Sequence, residues 1–296
     1  MEDYTNKTQY GNPNSAVYSE AEMSNTYYRG RSTSSVKSCC SFLARPFVFL
    51  YERFTSFCAY INRRIRIMRS APYVYCEGEK SSGKGLNYDF YTNKVAVLIG
   101  GQYLTFSAVL NYLDRNYIQL EKTHNYVQWL FPMYTQGMSS AVPLTKKESA
   151  YLRDSTKAVR HFEAALDIML HFWGMKVDKN PNDGSISIKK SDNWIHGTRN
   201  LATNSHNFLR INRVLQSLEC FGLSEYQAPL LKFLMDEIMV NDIMLKDELA
   251  VAKKSLCRHW LKSISDPNEQ HFLTQMCKNK GLYVQPSKPK NRGRRR

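Results

Sequence analysis

Residues 143–174 read PLTKKESAYLRDSTKAVRHFEAALDIMLHFWG, and this stretch decides the fold class. Thr145 followed by Glu148 forms a capping box, in which the Thr145 hydroxyl takes the Glu148 amide and the Glu148 carboxylate returns to the Thr145 amide. Behind it, Ala158, Phe162, Ala165, Met169 and Trp173 fall on one helical face, with Leu166 and Leu170 alongside. Asp154-Ser155-Thr156 predicts a break into two helices, and Gly174 can take the left-handed conformation that closes the second.

Working downstream, Lys176-Val177 and Ile186-Ser187-Ile188 flank the turn residues Asn180-Pro181-Asn182-Asp183-Gly184, which predicts a hairpin over about 175–190. Four further helices follow: about 205–220, closed by Gly222; 225–240, with Pro229 near its start; 246–264; and one opened by Asp266-Pro267-Asn268-Glu269 and ended by Gly281. Upstream, 104–113 and 121–131 read as helices, the latter stopped by Pro132, which lacks an N–H. Val95–Ile99 before Gly100-Gly101 is either a strand or a buried turn. The expected fold is all-α, an irregular multi-helix bundle with at most one small β-hairpin.

The chain has 296 residues with 41 Lys+Arg against 26 Asp+Glu, a formal charge of +15. That charge is unevenly placed: residues 1–86 carry +5, 87–264 carry +4, and 265–296 carry +6. The middle is nearly balanced, so charge does not mark it as a reader of nucleic acid. Residues 1–41 are expected to be a disordered polar segment, 70–86 a linker, 87–281 the helical domain and 282–296 a disordered basic tail. Within 42–69, Phe47, Leu50, Phe54, Phe57 and Ile61 make a helical stripe that ends in Arg63, Arg64, Arg66 and Arg69. Such a helix can lie on an anionic membrane surface, with Cys39 and Cys40 available for acylation. The basic residues of 285–296 suit a nuclear import factor or nucleic acid. No run of eighteen uncharged apolar residues occurs, and the polar start has no signal-peptide core. Seven Cys without regular spacing fit a reducing compartment, so an intracellular protein is expected.

Catalytic signatures are missing. The seven His are dispersed, and neither C-x-x-C nor H-E-x-x-H occurs, so no metal is expected. Gly83-Lys84-Gly85 lacks the rest of a phosphate-binding loop, and there is no G-x-S-x-G. Asp236-Glu237 and Asp247-Glu248 are helical neighbours whose side chains diverge by about 100°, which suits solvated charge better than a paired-carboxylate site. No enzyme activity and no cofactor are expected. Trp129, Trp173, Trp194 and Trp260 read as core anchors. One polar row is more distinctive: His206, Arg210, Arg213 and Ser217, at steps of four, three and four, beside an apolar row of Phe208, Ile211, Leu215 and Leu218. It can bind a carboxylate or phosphate, or face solvent with its arginines paired to Glu219 or Glu225.

Asn125-Tyr126-Val127-Gln128-Trp129-Leu130-Phe131-Pro132, then Gly137-Met138 and Pro143-Leu144-Thr145, resembles the conserved region of the opioid growth factor receptor family. Its motif positions here are Tyr126, Gln128, Trp129, Leu130, Phe131 and Pro132. Further blocks agree in order: Asn193-Trp194, Ser205 through Ile211, Gly222-Leu223, and Tyr226 through Leu230. The founding receptor's C-terminal repeats do not occur, so the chain is similar to a short, receptor-like member. The resemblance implies a non-enzymatic receptor for Met-enkephalin, nuclear and perinuclear, that restrains proliferation. Such a peptide needs a cation for its carboxylate, an acid for its ammonium and apolar pockets for Tyr, Phe and Met. Arg210 or Arg213, with His206, can answer the first, Glu219 or Glu225 the second, and Trp129 or Trp194 the third. The competing expectation is a peripheral membrane or nuclear scaffold whose basic tails contact lipid or nucleic acid.

Overall fold

The computed structural model describes residues 71–137, 141–239 and 246–285. The expected membrane helix 42–69, the acylation candidates Cys39 and Cys40, and all of the basic tail from 286 onward lie outside the described residues. In chain order the elements are β1 (Tyr73–Tyr75), α1 (Leu86–Tyr91), β2 (Val95–Ile99), β3 (Gln102–Leu104), α2 (Phe106–Leu113), α3 (Tyr117–Lys122) and α4 (Tyr126–Leu130). Then come α5 (Lys146–Arg153), α6 (Thr156–Phe172), β4 (Met175–Lys179), β5 (Ile186–Lys190), α7 (Trp194–Thr203), α8 (His206–Cys220) and α9 (Gln227–Phe233). A π-helical turn, Leu234–Ile238, extends α9; α10 (Lys246–Ser255) runs on through a second π turn, Leu256–Trp260, and α11 (Pro267–Asn279) closes the described fold.

The fold is mostly helical, as the periodicity predicts, but it carries two sheets rather than one hairpin. The second is antiparallel, in the order β1-β2-β3, with Tyr73 opposite Val97 and Val97 opposite Leu104. β2 resolves the ambiguity at Val95–Ile99: Gly100 and Gly101, at φ 59° and 90°, are the two residues of a tight hairpin loop, which requires positive φ. β1 falls inside the stretch 70–86 that composition marks as a linker, and β3 takes Leu104 from the expected helix. Each outer strand is three residues long, too short to show a period of two. The expected helix 121–131 is likewise two helices, α3 and α4, interrupted at Thr123–Asn125.

The 143–174 stretch folds largely as read. Thr145 and Ser155 cap α5 and α6 by accepting from Glu148 N and Ala158 N, and Gly174 follows α6 at φ 85°. The second half of the capping box does not form. Glu148, buried, turns its carboxylate to the start of α1 and accepts from Asn87 N at 2.7 Å, Tyr88 N at 3.1 Å and Asn87 Nδ2 at 3.2 Å. An anion at a helix start meets unpaired N–H groups, so this carboxylate caps α1 across 61 residues of chain.

One core runs through the described residues. Trp129, Trp173 and Trp260 are fully buried, while Trp194 is half-buried, edge-on to Phe233. α7 crosses the end of α6 at Gly197, where a Cβ would lie 2.2 Å from Gly174 N. That crossing places the β4–β5 hairpin, which leaves Gly174, between α6 and α9.

Candidate functional site

The polar row of α8 turns inward. Arg210 is 6% exposed, and its guanidinium donates to Leu120 O at 2.9 Å, Asn207 Oδ1 at 3.1 Å and His124 Nδ1 at 3.1 Å, and lies over the Tyr126 ring. Arg213 Nε donates to Phe131 O at 2.7 Å, and Ser217 Oγ to Pro132 O at 2.9 Å. His206 Nε2 lies 2.6 Å from Glu121 Oε1. Burial lowers the Arg213 pKa to about 10, and burial followed by the Arg210 charge lowers that of His124. The row therefore does bind oxygen acceptors, but chiefly the backbone carbonyls of 120–132.

This explains the motif residues as architecture. Tyr126, Trp129, Leu130 and Phe131 are buried, Tyr126 OH donates to Leu120 O at 2.9 Å, and Tyr91 OH donates to Leu130 O. Short helices such as α3 and α4 leave most of their terminal carbonyls unpaired, and the α8 side chains supply the missing donors.

The seven residues expected to meet a peptide do not converge. Trp129 is fully buried, edge-on to Phe90, Arg210 is committed to the carbonyl clamp, and Glu219 and Glu225 are exposed. Trp194 stands apart from them on α7, where Lys190 Nζ lies 4.8 Å from its ring centre.

Trp194 adjoins a different feature, a groove of about 900 Å³ between the hairpin, α9 with its π turn, and α11. The apolar part is made by Ile186, Ile188, Ala228, Pro229, Phe233, Phe272 and Leu273. Charge of both signs surrounds it: Lys176, Lys189, Lys190 and Lys232 against Asp236, Glu237 and Glu269. Several are already paired, Lys190 with Glu237, Lys232 with Asp236 and Lys189 with Asp178, each at 2.8 Å. Asp236 also meets Lys280 at 2.8 Å. Burial alone would raise the Asp236 pKa, but the Lys232 and Lys280 ammoniums hold it below the ordinary value. Lys176 and Glu269 have no ion-pair partner among the described residues, and partial burial with the nearby Asp266 raises the Glu269 pKa. The π turn brings Asp236 and Glu237 to the same groove, against the expectation that they point apart into solvent. Phe272 is 61% exposed at the rim.

Sequence reasoning missed this groove because its walls come from segments as far apart as Lys176 and Leu273. A partial signal existed in the doublets 228–229, 232–233 and 236–237, which repeat every four residues and face one way. A smaller pocket of about 350 Å³ lies between α3 and α7, lined by Tyr117, Glu121, His196 and Asn200 among others. No group of three or more His, Cys, Asp or Glu among the described residues can hold a metal ion. No helix among them is long and apolar enough to cross a membrane.

Fold and groove together define a mostly helical domain with an apolar, charge-bordered cleft on its surface. The sequence model of the opioid growth factor receptor (OGFr) conserved region matches residues 80–290, and the chain belongs to that family. It is 33% identical over 189 residues to opioid growth factor receptor-like protein 1 of Mus musculus, covering 63% of this chain and 38% of that one. It is 36% identical over 196 residues to the opioid growth factor receptor of Mus musculus, covering 64% and 30%. With the human opioid growth factor receptor the identity is 31% over 201 residues, covering 64% and 28%. The chain thus spans under two fifths of the length of these relatives, which are named as receptors and not as enzymes. No solved structure matches it.

Proposed function

We propose that the chain is a non-enzymatic, receptor-like protein that takes a short Met-enkephalin-like peptide in the groove between β5, α9 and α11, and regulates cell growth from a nuclear or perinuclear site. Family membership supports the receptor-like part. One observation carries the location: the groove joins an apolar floor to one cation, Lys176, and one carboxylate, Glu269, neither of which is held in an ion pair among the described residues, the Lys176 charge acting only at longer range on Asp178. A peptide with free termini brings a carboxylate and an ammonium, and its Tyr, Phe and Met side chains need apolar cover. The groove's volume lies within the range of small-ligand sites. The α8 arginines are weaker candidates because Arg210 is buried with its guanidinium on Leu120 O, Asn207 Oδ1 and His124 Nδ1, and Arg213 Nε is held by Phe131 O.

Titration calorimetry of the full chain with Met-enkephalin tests the reading. Lys176→Glu and Glu269→Lys should each weaken binding about tenfold, the scale of one desolvated charge pair. Undetectable heat, or both variants binding like the parent, would remove the groove as the site.

A further inference from the structure

The groove's hairpin wall is a strand edge that no other strand among the described residues pairs, and its register shows which backbone groups point away from β4. Two hydrogen bonds flank the hairpin, Ser191 N to Gly174 O at 3.0 Å and Asn180 N to Ser185 O at 2.9 Å. Hydrogen-bonded pairs in an antiparallel ladder recur at every second position. Stepping between those two bonds, Lys176 with Lys189 and Asp178 with Ser187 are the bonded pairs. Ser187 and Lys189 therefore spend their N–H and C=O groups on β4. Ile186, Ile188 and Lys190 direct theirs away from it. Among the described residues no third strand joins this sheet, and no other backbone group bonds these three.

The groove lies along that edge. Side chains alternate between the two faces of a strand, so a cavity over one face would meet every second residue. Here all five consecutive residues of β5, from Ile186 to Lys190, border the groove. The opposite wall is helical and carries Phe233 and Phe272, which can cover side chains of an extended chain lying between.

Resting on the peptide reading above, we propose that the ligand binds by strand addition: a short peptide in extended conformation pairs antiparallel or parallel with β5 as a third strand. Its backbone exchanges hydrogen bonds with Ile186, Ile188 and Lys190, and its termini meet Lys176 and Glu269. Main-chain pairing supplies affinity in this mode, and pockets for alternate side chains supply selectivity. The five-residue edge is roughly 17 Å long, which suits a peptide of four to six residues. A peptide held as a helix or a compact turn would not fit.

Amide hydrogen exchange on the full chain, with and without saturating Met-enkephalin, decides it. Strand addition requires the amides of Ile186, Ile188 and Lys190 to exchange at least about tenfold more slowly with peptide, while Ser187 and Lys189 stay unchanged. Ile186→Pro removes one outward N–H and leaves the β4 bonds alone, so affinity should fall about five- to tenfold with Ser187 still protected. A peptide N-methylated on alternate amides, with side chains intact, should bind more weakly by a similar factor. Calorimetric binding without a change at the three amides refutes strand addition and leaves the groove as the peptide site. An absence of binding heat refutes both. Slow exchange at the three amides before peptide is added also refutes it, because the edge is then already covered by a segment of this chain or a second copy.

Discussion

Replacing Arg210 with alanine separates the two roles its position suggests, a ligand contact or a clamp on the 120–132 segment. The guanidinium is 6% exposed and makes charge-assisted bonds to Leu120 O, Asn207 Oδ1 and His124 Nδ1 at 2.9–3.1 Å. Each such bond contributes about 1.5–3 kcal/mol net, and losing the arginine leaves His124 Nδ1 without this donor, while Leu120 O keeps the Tyr126 hydroxyl and Asn207 Oδ1 the Trp173 indole. These terms overlap, and removing the charge also relieves its own desolvation, so the expected loss is about 3–4 kcal/mol. With a urea slope of roughly 2–3 kcal/mol/M, the unfolding midpoint should fall by about 1–2 M at unchanged slope. Lysine should recover less than half of the loss, since a point charge cannot span three acceptors. Urea titration followed by tryptophan fluorescence reads the shift, since Trp129 and Trp173 are buried. A midpoint shift below about 0.3 M, with peptide affinity reduced about tenfold, would refute the clamp and return Arg210 to the ligand.

Three more outcomes follow from the packing. Gly197→Ala puts a Cβ 2.2 Å from Gly174 N, against backbone that cannot swing aside. It should cost at least about 3 kcal/mol, and a melting temperature within a degree of the parent would contradict the close crossing. Glu148→Gln keeps the shape but removes the charge at the start of α1, so about 1–2 kcal/mol should be lost, as should slow exchange at Asn87 and Tyr88. An unchanged urea midpoint for this variant would mean that the carboxylate does not cap α1. His124, His161 and His171 all have lowered pKa values in the fold, through burial first, then Arg210 for His124 and Arg115 for His171. Unfolded imidazoles take up protons near pH 6.5, before these do, so their contribution is complete above that pH and is lost as the pH falls below it. Urea midpoints that stay level or rise between pH 7.5 and 5.5 would be the opposite sign.

Local signals settled much of this fold. The side-chain caps at Thr145 (hydroxyl) and Asp266 (carboxylate), the break at 154–156, the stop at Gly174 and the turn at 180–184 all sit where the residues put them. They were legible because each depends on atoms within four residues along the chain. The three-stranded sheet was not legible, since β1 and β3 are too short to display alternation and gain their identity only by pairing with β2. The capping box was half right: Thr145 acts locally, while Glu148 finds a better partner 61 residues away.

The sequence by itself determined the helical character, the family motif and the presence of a chemically unusual row on α8. Only the tertiary structure decided what that row touches, because a helical period tells which residues share a face but not which neighbour the face meets. Arg210 and Arg213 read alike in sequence whether they point to a ligand or to a carbonyl. The groove is a product of assembly in the same sense. Its floor and charges are ordinary residues on β5, α9 and α11, and they become a binding surface only when the Gly174–Gly197 crossing sets the hairpin beside those helices.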